Sequence, residues 1–278
     1  MTTFDLNETL PVYEVTANNF AEEAENKIHN SDVAPRFGFK GGLVPGVGDH
    51  AYMTHPIVQA LGREWLERGA MEVKFLKPVY HGELTKVTAQ VASIDPLEFK
   101  IELLNSEQTL CAVGTAGLPD TPSAMAPEDF PEAPVPEREE RREPRAEALP
   151  AGLVLGSLRE RFNLVETERK QAEEFVENLP IYLGPEAVCH PSILLQLANE
   201  ILIRNVALGP WIHTASRCLH FGLPVDGEWL SVRAKILDSV QKRGHEITSF
   251  DVGIFGANDR PILRVRHEAI VRLRGSKS

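Results

Sequence analysis

The sequence predicts an α+β protein built twice from one unit, a long helix followed by an antiparallel meander. Three observations carry this: a proline-rich break near the middle, a short pattern repeated on either side of it, and strand-like alternation after each copy. The break spans residues 119–150 and holds eight of the 20 prolines, mixed with acids and arginines. Proline removes backbone donors and stiffens the chain, so this stretch is expected to be an extended surface connector. It separates residues 1–118 from residues 151–278, two halves of comparable length.

The repeated pattern reads F-x-x-P-V, then a Gly-Glu turn, then an apolar run. It occurs at Phe75, Pro78, Val79, Gly82 and Glu83, and again at Phe221, Pro224, Val225, Gly227 and Glu228. A long amphipathic segment precedes each copy. In 47–68, Ala51, Met53, Ile57, Val58, Leu61, Trp65 and Leu66 recur at three- and four-residue steps and form one apolar stripe. Gly69 offers a stop, and Pro56 predicts a kink or a late start of the regular helix. In 191–207, Ile193, Leu194, Leu197, Ala198, Ile201, Leu202 and Val206 do the same, with Pro191 suited to a first turn. After the first copy come LTKVTAQVASI, FKIELLN and TLCAVGTAGL; after the second come LSVRAKILDSV, HEITSFDVGIF and PILRVRHEAIVRLR. Apolar residues at period two predict strands with one face buried. A long helix wrapped by a curved antiparallel sheet is a hotdog domain. Two in one chain make a double hotdog, with the two antiparallel sheets pairing as in a homodimer of single domains.

Composition narrows the function. The 278 residues carry 40 acids against 29 bases, a formal net charge of −11, which disfavours a nucleic-acid surface. Cys111, Cys189 and Cys218 are far apart, which fits a reducing cytoplasm rather than a disulfide framework or a zinc site. The N-terminal residues show no basic-then-apolar signal, and no apolar run approaches a membrane span. No G-x-G-x-x-G opens a helix, and no H-E-x-x-H is present, so neither a nicotinamide cofactor nor a metal is expected.

The chemistry concentrates in residues 15–50. A polar cluster (Glu25, Asn26, His29, Asp32) precedes a glycine-rich turn (Gly38, Gly41, Gly42, Pro45, Gly46) and then the first long helix. Proton-transfer groups thus stand next to a helix N-terminus, whose free N–H groups hold developing negative charge. Asp49 and His50 lie in the first turn, and Arg36 and Lys40 lie near the glycine turn. His213, in the grouping His213, Thr214, Ser216, reads as the start of a strand rather than as a nucleophile site.

These residues resemble the MaoC-like hydratases and dehydratases, which include (R)-specific enoyl-CoA hydratases. The match runs through Val15-Thr16, Phe20-Ala21, the N-x-x-H of Asn26 and His29, and the G-F-x-x-x-aliphatic-x-x-G of Gly38, Phe39, Leu43 and Gly46. The resemblance implies an acid–histidine pair that adds or removes water at the α,β-position of an acyl thioester, carried on CoA or on a carrier protein. It implies His29 as the histidine, Asn26 as the asparagine and Gly46 as the glycine at the helix entrance. Where the family has its aspartate this chain has Ala24, and Glu25, one step on, is the nearest substitute; Asp32 and Asp49 are other candidate carboxylates. Arg36, Lys40, Asp49 and His50 are substrate-binding candidates, the two bases for CoA phosphates. A hotdog thioesterase using Asp49, a non-catalytic acyl-binding protein, and pairing with a second copy of the chain remain open at this point.

Overall fold

The computed structural model describes residues 3–120 and 124–275. Ten strands form one antiparallel sheet, within which the two halves have the same wiring. The first half runs β1 (Tyr13–Thr16), α1 (Gly46–Arg68), β2 (Ala70–Phe75), β3 (Leu84–Ile94), β4 (Leu97–Leu104) and β5 (Leu110–Leu118). The second runs β6 (Val154–Arg161), α2 (Leu164–Glu174), α3 (Pro191–Asn205), β7 (Ile212–His220), β8 (Trp229–Lys242), β9 (His245–Phe255) and β10 (Pro261–Arg272). The sheet order is β1-β3-β4-β5-β2 in one half and β7-β10-β9-β8-β6 in the other, joined where β2 pairs with β7. Reversing the second series gives β6-β8-β9-β10-β7, position for position the order of the first. The one added element is α2, inserted between strand and long helix.

Each half buries its own helix. Tyr52, Met53, Ile57, Val58, Trp65 and Leu66 of α1 pack on Val73, Val87, Ala89, Phe99, Ile101 and Leu103. Leu194, Leu195, Ala198, Ile201 and Leu202 of α3 pack on Val232, Ala234, Phe250, Val252 and Val265. The break in α1 lies at Gly62 (φ 58, ψ −142) rather than at Pro56, through which the helix continues. Gly62 has no Cβ to oppose a positive φ, so the chain yields there. Gly69 ends the helix, its N–H donating to Trp65 O at 2.7 Å.

Among the described residues between β5 and β6 the helical elements are short 3-10 turns, but the segment is not merely a surface connector. Phe130 is buried against Phe255 on the outer face of the second half, with Met125 beside them. The chain then runs so close to β6 that a methyl on Gly156 would lie 2.5 Å from Pro134 O. Leu149 enters the second core. Prolines leave few backbone donors to satisfy, so this ribbon covers apolar side chains without needing a ladder of its own.

Candidate active site

A cavity of about 230 Å³ lies between the halves at the N-terminus of α1. His29, Leu43, Gly46 and Asp49 come from the first half; Asn199 of α3 and Trp211, His213 and Thr214 at the head of β7 come from the second. Apolar side chains, among them Phe39, Val44, Phe75 and Ile270, line much of the remainder.

His29 ends a 3-10 turn, Lys27–His29, capped by the Asn26 side chain. Its Nδ1 lies 2.8 Å from Leu43 O. A carbonyl only accepts, so Nδ1 carries the proton and Nε2 presents a lone pair. Asn26 fixes the other side of the ring. Its Oδ1 accepts from Trp211 N–H at 3.2 Å, and its Nδ2 donates to Trp211 O at 3.1 Å, which orients the amide without ambiguity. The remaining amide hydrogen faces His29 Nε2 at 3.3 Å. Burial lowers the His29 pKa, with the Leu43 carbonyl and Glu22 opposing, so the imidazole is a neutral base.

The glycine turn earns its composition at Gly42. A methyl there would lie 2.0 Å from His29 O, so only glycine lets residues 42–43 run against the histidine turn. Leu43 N–H donates to Ile28 O and Val44 N–H to Val79 O, which locks the strip in place. At Gly38 a positive φ of 89° suits glycine for a different reason, a left-handed turn end.

α1 opens without a side-chain cap. The N–H groups of Gly48 and Asp49 return to Pro45 O at 2.7 and 3.3 Å. Those of Gly46 and Val47 make no hydrogen bond among the described residues. One turn along, Asp49 is only 4% exposed, and its Oδ1 has no hydrogen-bond partner among the described residues. Burial raises its pKa well above the carboxylate range and the nearby Glu83 charge adds to this, so Asp49 is a neutral acid.

The structure therefore brings together His29, Asn26, Gly46 and Asp49. It does not bring Glu25 to them. The Glu25 side chain is 66% exposed and pairs with Arg138 at 3.0 Å. It sits on the outward side of the turn, where its charge stays hydrated; the carboxyl that shares the cavity with His29 is Asp49. His50 is also displaced from the expected role: it faces α3, bonding Ser192 Oγ at 2.7 Å, and does not line the cavity. Arg36 is exposed, and Lys40 pairs with Glu107 at 3.2 Å; neither lines the cavity. The cation on the rim is Lys77, from the first F-x-x-P-V repeat, which sequence reasoning passed over. Asn199 and Trp211 were missed as well, and His213 reads in sequence only as the start of a strand. Their only signal is pairing between halves, which no local pattern records. Among the described residues, no three His, Cys, Asp or Glu side chains converge as a metal site.

Fold and cavity together define a double hotdog protein with a cavity between its halves at a helix N-terminus. Solved structures place it further. The chain is similar over 98% of its length to 97% of a protein from Chloroflexus aurantiacus described as a MaoC domain dehydratase, with TM-score 0.71 and 11% identity. It is similar over 96% of both chains to a double hotdog protein from Mycobacterium tuberculosis, with TM-score 0.66 and 15% identity. A protein from Thermobifida fusca described as a thioesterase II matches over 95% of both chains, with TM-score 0.51 and 15% identity. No family model and no curated protein matches. At these identities the likeness establishes the double hotdog fold, which dehydratases and thioesterases share, so the activity must be argued from the site.

Proposed function

We propose that the protein adds or removes water at the α,β-position of an acyl thioester. One observation carries the reading: a neutral imidazole base and a neutral carboxylic acid line the same cavity as Gly46, whose N–H is free at a helix start. Environments that push the pKa values of two groups apart assign the base and the acid.

In the dehydration direction, His29 Nε2 takes the α-proton of a 3-hydroxyacyl thioester. The electron pair moves onto the thioester oxygen, which the Gly46 N–H at the helix start holds. When the enolate collapses, the β-carbon–oxygen bond breaks and the leaving hydroxyl takes the proton of Asp49 as water. The imidazolium then returns a proton to Asp49, and both groups are neutral again. Hydration runs these steps in reverse. The Asn26 hydrogen bond to Nε2 must yield as substrate enters; until then it holds the ring edge-on to the cavity.

A thioesterase would need Asp49 ionised to activate water, and complete burial opposes that state. The test is hydration of crotonyl-CoA at neutral pH. His29→Ala should lower the rate by roughly 10²–10⁴-fold, the usual worth of a positioned base, while the melting profile is retained. Full activity in a folded His29→Ala variant rejects the assignment.

A further inference from the structure

His213 belongs to the second half, at the start of β7, and lines the same cavity. Its imidazole is held from several sides. It stacks on His267 with ring centroids 4.0 Å apart, and the Phe75 ring meets it edge-on at 4.8 Å. Its Nε2 lies 2.7 Å from Ser216 Oγ, which in turn lies 3.0 Å from His267 Nδ1. The other nitrogen, Nδ1, is buried and has no hydrogen-bond partner among the described residues. It lies against the first residue of α1: a methyl built on Gly46 would be 2.9 Å from Nδ1 and 3.2 Å from Cγ. Glycine at position 46 is thus what admits the second-half imidazole to the helix N-terminus.

A buried polar atom without a partner costs about 1–3 kcal/mol. Ring nitrogens of His50, His190, His220 and His267 are likewise buried without a partner among the described residues; His213 differs in lining the cavity against the first residue of α1, where a ligand oxygen can reach it. We propose that His213 Nδ1–H is a second donor to the thioester oxygen, alongside the N–H group of Gly46. The proposal rests on the acyl-thioester reading of the site and adds that the second half supplies part of its oxyanion hole.

The hydrogen-bond chain makes this tautomer available. Ser216 has one hydrogen to give and lone pairs to accept. His267 Nδ1–H donates to Ser216 Oγ, and Ser216 O–H donates to His213 Nε2, which leaves the proton of His213 on Nδ1. Both rings are neutral: burial and the neighbouring His267 lower His213 well below the usual range, with the Ala215 carbonyl opposing, and burial lowers His267 to about 3. A neutral imidazole donates to a developing oxyanion without a buried charge, as the backbone N–H group does. No proton leaves the chain; His213 stabilises charge and does not transfer protons.

The probe is 2,4-hexadienoyl-CoA, whose conjugated thioester absorbs at longer wavelength when its carbonyl is polarised by hydrogen bonds. Binding to the wild-type protein should red-shift that absorbance. His213→Phe should abolish most of the shift and lower kcat for crotonyl-CoA roughly 10²-fold, with a smaller change in KM. Ser216→Ala, which keeps the ring but frees its tautomer, should weaken both effects in part. A folded His213→Phe with the wild-type shift and kcat overturns the proposal. If that variant does not fold, an unchanged shift and kcat in Ser216→Ala overturns it equally. A wild-type protein that gives no shift also overturns it. A wild-type shift that is lost in His213→Phe, with crotonyl-CoA left unhydrated, sinks the water-addition reading and leaves His213 as a carbonyl-binding group.

Discussion

Asp49 shows how a residue's chemistry is set by what surrounds it. As a first-turn acid it reads in sequence as one of several candidate carboxylates. Its burial turns it into a neutral acid instead. Glu25 runs the opposite way: it stands nearest in sequence to the expected aspartate, yet hydration and Arg138 keep it on the surface. Spacing along the chain located His29 and Asn26 because both lie on one short turn, whose geometry is local. The carboxyl that shares its cavity lies on a different element, so spacing could offer Asp49 only as one candidate beside Glu25 and Asp32. The glycine turn offers a clean residue-scale prediction. Gly42→Ala places a methyl 2.0 Å from His29 O, whereas Gly41→Ala meets nothing within 4 Å. Gly42→Ala should lower stability by about 1–3 kcal/mol, the usual effect of overpacking, and impair activity; Gly41→Ala should do neither. Chemical denaturation and crotonyl-CoA hydration of both variants check this, and equal behaviour would contradict the role assigned to Gly42.

At the scale of elements, the long helices and six of the ten strands were legible because amphipathic periodicity is a local record of burial. β3, β4, β5, β8, β9 and β10 follow the alternating runs, and α1 and α3 follow the apolar stripes. Of the other four, β7 was legible only at its start, in the His213 grouping, and β1, β2 and β6 were not. β1 has four residues and β2 six, too few for alternation to stand out. β6 sits beside the proline-rich ribbon, and its Gly156 answers to that ribbon's backbone rather than to a strand pattern. α2 was hidden for another reason: it is mostly charged, and its few buried residues, Thr167 and Gln171, are polar. Gln171 Nε2 donates to Tyr182 O at 2.6 Å, so α2 docks through a hydrogen bond rather than an apolar face.

The molecule as a whole keeps an unusual number of neutral histidines inside. Burial lowers His50 and His213 well below the ordinary value, His190 and His220 to about 4, and His267 to about 3, and it lowers His29 as well. In the unfolded chain each would titrate near 6.5. Depressed folded values mean that the unfolded state binds protons first as the pH falls. Stability is therefore complete above about pH 6.5 and declines below it, by about 1.4 kcal/mol per pH unit for each histidine until its folded value is reached. Asp49 works in the opposite sense with a single proton, since its folded pKa is raised. Denaturant midpoints should fall markedly from pH 7.5 to pH 5; equal midpoints would contradict the neutral interior.

The central claim is that this cavity moves water across a carbon–carbon double bond next to a thioester. Mass spectrometry of crotonyl-CoA incubated with the protein in heavy water tests it most directly. The expected product is 3-hydroxybutyryl-CoA with one carbon-bound deuterium at the α-position, its thioester intact. Free CoA thiol released from crotonyl-CoA, with no deuterium on carbon and no added water, would contradict it.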